Sequence, residues 1–376
     1  MKKPLSPFLI SGYISKEYFC DRESEYEILK KNTQNGVNTT LISPRRLGKT
    51  GLIFHFFDSL KNEKDIQAIY VDIYSSLNID DFIRLLAESI LEKFPEKTSF
   101  GKKFLTLIKG FRPRFTFDSI SGAPQIEFNY QSQNDKEYTL KQLLLFLDSQ
   151  DTKIIIAIDE FQQIVNYPEK NIEAILRTYI QQLKNINFIF SGSQAHILAE
   201  MFLSSKRPFF SSTQFLNLEK IERSKYKEFI QYHFSQGDKA ISEECIDYIL
   251  DWTKGYTFYT QSVCNKVYRN KKIDLDVIKL ECIGLMKEKE PSFFQYRNFL
   301  TPNQWKFLIA LAKEEEIVQI YSYDFLNRYN LGTPSSAKRI VNSLLEREMI
   351  LESNNKEGSS YSIYDVFLMR WLQLTY

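Results

Sequence analysis

The run Ser43-Pro44-Arg45-Arg46-Leu47-Gly48-Lys49-Thr50 sets a glycine, a lysine and a hydroxyl in succession between an apolar stretch and a helical pattern. That ending, in that position, suits a loop that holds a nucleotide's phosphates. Backbone N–H groups and the positive end of the following helix face the anion, the lysine reaches the β and γ phosphates, and the hydroxyl serves Mg²⁺. Ser43 occupies the position where such loops normally carry glycine, so the first turn must accommodate a Cβ. A basic loop that merely caps a helix would use similar letters; the strand before it and the helix after it favour phosphate.

A second constellation lies far downstream. Lys153-Ile-Ile-Ile-Ala-Ile-Asp159-Glu160 is an apolar strand ending in two carboxylates. Asp159 is expected to hold the metal through water, and Glu160 to orient or deprotonate the attacking water. The strand Phe188-Ile-Phe ends in Ser191-Gly192-Ser193-Gln194, where Ser191 or Ser193 could sense the γ phosphate or cap the helix that follows. Arg207 precedes a further strand. It is either a solvated surface arginine or a group that meets the γ phosphate of its own or a neighbouring subunit, so an oligomer is compatible with the site.

These residues need a mostly parallel sheet with helices on both faces to bring them together. The periodicity predicts strands over Val37–Ile42, Ile66–Ile73, Ile154–Ile158, Phe188–Phe190 and Phe215–Leu218, with helices over Lys49–Leu60, Asp80–Phe94 and Leu140–Leu147. Between Arg112 and Asn134 the pattern breaks into an inserted loop or hairpin over the sheet. From Arg223 amphipathic helices take over: Lys225–Phe234, Glu243–Thr253, Phe258–Tyr268 and Leu275–Lys289. From Thr301, three short helices and two β-like runs around SNNKEGSS read as a helix-turn-helix with a wing. The expected domains are therefore 1–222, 223–299 and 300–376.

Taken together, Tyr18-Phe-Cys-Asp-Arg22-Glu23-Ser-Glu25, SPRRLGKT, IAIDEF, FSGS, Gly255-Tyr256-Thr257 and the terminal winged helix resemble the archaeal-type and STAND-like P-loop ATPases of the AAA+ superfamily. The resemblance spans nearly the whole chain. It implies an α/β P-loop NTPase fold followed by a helical lid and a winged helix, with ATP and Mg²⁺ bound between sheet domain and lid. It also implies that Arg22 and Glu23 help seat the base, where the residues alone would read as an exposed ion pair. Arg46 maps onto the arginine before the loop's last residues. The lid's Gly-x-Pro motif falls at Gly255-Tyr256-Thr257, with Thr257 in place of proline.

Composition excludes several other classes. Over 376 residues, 43% are hydrophobic and 15% aromatic, enough for two or three cored domains. Formal net charge is +2, so nothing global calls for nucleic acid or an anionic membrane. Cys20, Cys245, Cys264 and Cys282 lie far apart and read as buried, reduced thiols. Three scattered histidines, His55, His196 and His233, offer little for a metal site or a triad. The N-terminus lacks the apolar core of a signal peptide and no stretch approaches a membrane span, which points to the cytoplasm.

The expected activity is Mg²⁺-dependent ATP hydrolysis used as a conformational switch on a protein or DNA partner. In that scheme Lys49 and the loop residues 44–50 hold phosphate, Thr50 and Asp159 hold the metal, and Glu160 holds water. DNA contact would fall to Lys338, Arg339 and Arg347 of the third winged-helix helix. Residues 301–376, however, carry eight Lys and Arg against nine Asp and Glu, and the aromatic C-terminus suits a core or a protein interface. A DNA-binding regulator or an interaction scaffold in which ATP is structural remains the rival.

Overall fold

The computed structural model describes residues 4–111, 113–117, 124–355 and 358–376. They form two compact units: one is Gly12–Lys220, and in the other the N-terminal residues through Ser11 join Ile221–Tyr376. Among the described residues, no helix is long and apolar enough to cross a membrane.

The first unit runs α1 (Glu23–Gln34), β1 (Thr39–Ile42), α2 (Lys49–Ser59), β2 (Ile66–Asp72), α3 (Ile79–Lys93), α4 (Ser99–Lys109), β3 (Arg114–Phe117), β4 (Pro124–Glu127), α5 (Gln133–Asp148), β5 (Lys153–Asp159), α6 (Ile172–Ile180), β6 (Ile186–Gly192), α7 (Ala195–Leu203) and β7 (Gln214–Asn217). Its sheet has the order β2-β5-β6-β1-β7, and every pairing is parallel. In β5, Ile154, Ile155, Ile156, Ala157 and Ile158 are all buried. Parallel strands covered by helices are shielded from solvent on both faces, so an unbroken apolar run is what an interior strand requires.

Two helices of the first unit escaped the periodicity reading. In α4, Gly101 lowers helix propensity, yet a Cβ there would lie 2.2 Å from the Pro95 carbonyl oxygen, so the close approach of that backbone needs glycine. In α6, Glu173 is 8% exposed on the buried face, which breaks the apolar stripe. The insert between 112 and 134 contains the antiparallel hairpin β3–β4, whose Ile126 N–H donates to Glu88 Oε1 on α3 at 3.0 Å. Its residues 112 and 118–123 lie outside the described ones.

The second unit holds α8 (Arg223–Gln236), α9 (Glu243–Trp252), α10 (Thr257–Val267), α11 (Leu275–Phe299), α12 (Pro302–Glu314), β8 (Glu316–Ile317), α13 (Tyr323–Arg328), α14 (Pro334–Glu346), β9 (Ile350–Asn355), β10 (Gly358–Ile363) and α15 (Val366–Thr375). Thr301-Pro302 and Thr333-Pro334 open α12 and α14 with capping boxes and proline in the first turn. The wing is β8-β10-β9. Phe8 explains why the N-terminal residues group here. It is fully buried, its ring lies 5.2 Å from Phe234 and 5.8 Å from Tyr268, and its carbonyl accepts from Asn265 Nδ2 at 2.8 Å.

Within this unit the winged helix is joined to the helical segment by the aromatic C-terminus, which forms the helix α15. Phe367, Leu368, Trp371 and Leu372 are buried. Trp371 Nε1 donates to Glu290 on α11 at 3.1 Å, and the Tyr259 hydroxyl on α10 donates at 3.2 Å to Asp365, the cap of α15. Arg370 reaches across to the Trp252 carbonyl at 2.9 Å and pairs with Glu315, which also receives Lys254. All four cysteines are buried and free.

Burial alone would raise the Glu315 pKa, but the donors on Lys254 and Arg370 hold it down to about 2, against an ordinary 4.5. A depressed carboxylate stabilises the fold above its ordinary pKa, and that contribution fades as pH falls through the folded value. The Glu315→Gln variant should therefore be the less stable protein at pH 6. Its urea midpoint should converge on that of the wild type as pH falls from about 4.5 toward 2. A gap that stays constant with pH would show that Glu315 is not held ionised by this cluster.

Candidate nucleotide site

Parallel pairing puts the chemistry at one edge of the sheet. Ile42 at the end of β1 lies beside Gly192 of β6, Ile158 of β5 beside Phe190, and Asp72 of β2 beside Asp159. The loop 43–48 leaves β1 at that edge and runs into α2. Gly48 has φ 95° and Arg46 φ 71°, both left-handed, whereas Ser43 is not among the positive-φ residues. A Cβ at position 43 is therefore accommodated without strain, which answers the departure from glycine.

Lys49 is 7% exposed, and its Nζ donates to the Ser43 carbonyl at 3.2 Å, closing the loop on itself. Burial pushes the Lys49 pKa down, against the pull of the Asp159 and Glu160 carboxylates. A buried ammonium held by one carbonyl near two carboxylates is poised to take a polyanion in exchange.

Asp159, 5% exposed, collects donors from several elements. Its Oδ2 accepts from Thr50 Oγ1 at 2.9 Å and Tyr70 OH at 2.7 Å; its Oδ1 accepts from Ser191 Oγ at 2.5 Å and the Glu160 N–H at 3.0 Å. Burial, and then the Asp159 charge, pushes the Tyr70 phenol well above its usual range. Thr50 hydroxyl and Asp159 carboxylate, side by side at the start of α2, are hard oxygen donors that fit Mg²⁺ better than softer metals.

Glu160 follows in a left-handed conformation, φ 56°. Its Oε2 accepts from Ser193 N–H at 3.3 Å, from Ser193 Oγ at 2.9 Å, and from Gln162 Nε2. Arg45 Nε donates to the same Ser193 hydroxyl at 3.2 Å, so the loop and the carboxylate share one serine. Between the two serines, a Cβ at Gly192 would meet Gln162 Oε1 at 1.9 Å, so any larger residue there would displace the Gln162 side chain. Neither serine is the cap residue of α7, whose N-cap is Gln194.

Tyr70 and Gln162 were not singled out from the sequence. A tyrosine within an edge strand and a glutamine in a short 3₁₀ turn, Phe161–Asn166, carry no motif; only the register that places β2 beside β5 reveals the first.

The remaining candidates lie as follows. Arg22 is 4% exposed, pairs with Glu25 at 2.8 Å and donates to the Leu47 carbonyl at 3.3 Å, while Glu23 is exposed at the first position of α1. Arg207 pairs with Glu173 at 3.1 Å and Glu200 at 3.4 Å, on α6 and α7. In the second unit, Gly255 has φ 67° and Thr257 opens α10, the helical position in which proline would be equally at home.

The chain is similar in fold to a Walker-type ATPase of Pyrococcus abyssi, at 18% identity over 98% of this chain and 99% of that one, TM-score 0.68. It is similar also to the Aeropyrum pernix Orc2 protein solved in ADPNP–ADP complexes, at 15% identity over 98% and 96%, TM-score 0.61. The Aeropyrum pernix Orc1 protein in complex with DNA matches at 12% identity over 99% and 97%, TM-score 0.52. No curated protein matches. A model described as a probable winged helix domain matches residues 291–374. The model described as an ATPase domain predominantly from Archaea matches residues 19–261, most of the chain and every residue of the site above, and the chain belongs to that family of P-loop ATPases.

Proposed function

We propose that the chain binds ATP with Mg²⁺ at the edge formed by β1, β5 and β6, hydrolyses it there, and uses the nucleotide state as a switch on a protein or DNA partner. The observation that carries this is the convergence of Lys49, Thr50, Asp159 and Glu160 at adjacent strand ends, with Thr50 and Asp159 bonded at 2.9 Å.

The loop N–H groups and Lys49 bind the phosphates, with Lys49 exchanging the Ser43 carbonyl for phosphate oxygen. Thr50 and Asp159 would hold Mg²⁺, which when bound neutralises charge on the β and γ oxygens. Glu160 takes the proton of the attacking water, and Ser193 and Gln162 fix where its carboxylate points. Ser191 orients Asp159 instead of meeting phosphate itself. For Arg207 to reach a triphosphate it must give up Glu173, whose buried carboxylate would then lose its counter-charge.

DNA is the second reading for the partner, favoured by exposed Lys338, Arg339 and Arg347 on and beside α14 and by the likeness to an Orc1 protein solved with DNA. The near-neutral winged helix and an α15 spent on its own core favour protein.

Phosphate release tests the enzyme. Lys49→Ala should lose both ATP binding and turnover, whereas Glu160→Gln should bind ATP normally and turn over about 100-fold slower or worse, as expected for loss of a general base. Equal turnover in wild type and both variants would remove the hydrolytic reading. For the partner, duplex binding followed across salt should fall with a log–log slope of about −3 if the three basic residues each meet a phosphate. That slope should shrink in Lys338→Ala/Arg339→Ala. A flat or absent response assigns the surface to protein.

A further inference from the structure

The Asp21–Arg22 turn is built to deliver a buried cation to the phosphate loop. Both residues are left-handed, φ 57° and 81°, a conformation that non-glycine residues adopt only where the surroundings impose it. The segment before it lies along α2: the Tyr13 hydroxyl donates to Asp58 at 3.0 Å, Phe19 stacks on His55 at 4.6 Å, and a Cβ on Gly51 would touch the Phe19 ring at 3.2 Å. Arg22 ends this splint. One of its terminal nitrogens is neutralised by Glu25 at 2.8 Å and the other donates to the Leu47 carbonyl at 3.3 Å.

That carbonyl belongs to the Leu47–Gly48 peptide. In a planar trans peptide C=O and N–H point in opposite directions, so a carbonyl held toward Arg22 turns the Gly48 N–H away from it. Gly48, at φ 95°, offers little resistance to rotation of that peptide, and Arg46 at φ 71° leaves the loop without a regular helical neighbour to fix it. A flipped peptide would present an oxygen where a phosphate needs a donor.

We propose that Arg22 is a positioning residue that clasps the Leu47 carbonyl, prevents the Leu47–Gly48 peptide from flipping and so keeps the Gly48 N–H available to a triphosphate, and that it does not read the base. This rests on the reading of the loop as a triphosphate cradle. A 4%-exposed guanidinium engaged by Glu25 and a main-chain oxygen is a structural clasp, and its effect on binding is exerted through the loop.

The test uses the full chain with Arg22→Gln and Arg22→Lys. Affinities for ATP and for inorganic tripolyphosphate, both with Mg²⁺, are compared by calorimetry, and amide exchange over residues 43–50 is followed without nucleotide. In Arg22→Gln both ligands should weaken by the same factor, roughly tenfold for one charge-assisted bond, with the preference for ATP over GTP unchanged. Exchange in the loop should quicken while exchange across the sheet strands stays at its wild-type rate. Arg22→Lys, which retains one donor, should fall between, and it carries the test if the glutamine variant fails to fold. ATP weakened with tripolyphosphate unaffected would identify a base contact and overturn the clasp, as would unchanged exchange together with unchanged affinities. A wild type that binds neither ligand would overturn the cradle itself. The exchange comparison keeps that failure separate from failure of the clasp alone.

Discussion

A carboxylate buried at the end of an otherwise apolar strand dictates the arrangement of this molecule's working edge. A buried carboxylate in that position needs hydrogen-bond donors, and the side chains of β5 give it none. Tyr70 comes from β2, Thr50 from α2 and Ser191 from β6, so the carboxylate is satisfied only when three separate segments are in register. Strand order, loop position and the site are thus aspects of one electrostatic requirement.

A second tier of hydrogen bonds surrounds Glu160. Glu160 is held by Ser193 and Gln162, and Ser193 is held by Arg45 of the loop. Any ligand that draws on Arg45 alters the support of the residue that would handle water. In the other unit, α15 and the Glu315–Arg370–Lys254 cluster fasten the winged helix to the helical segment.

The central strands, the loop and the paired carboxylates were legible because each is strongly constrained: β5 must be apolar on both faces, and a phosphate loop must end in glycine, lysine and a hydroxyl. What escaped depends on contacts between distant segments. Gly101 and Glu173 obscure α4 and α6 because each obeys a packing or pairing demand foreign to its own helix. Tyr70 and Gln162 carry no local signature, and Arg22 reads as one half of a surface ion pair until its burial and its grip on Leu47 are seen.

The most direct measurement is a calorimetric titration of the purified chain with ATP in millimolar Mg²⁺, set beside Asp159→Asn. Saturable heat at one site per chain, greatly weakened in the variant when Mg²⁺ is present, is the predicted result. Absence of saturable heat with the wild type, or identical isotherms for the two proteins, would contradict a cradle organised around Asp159.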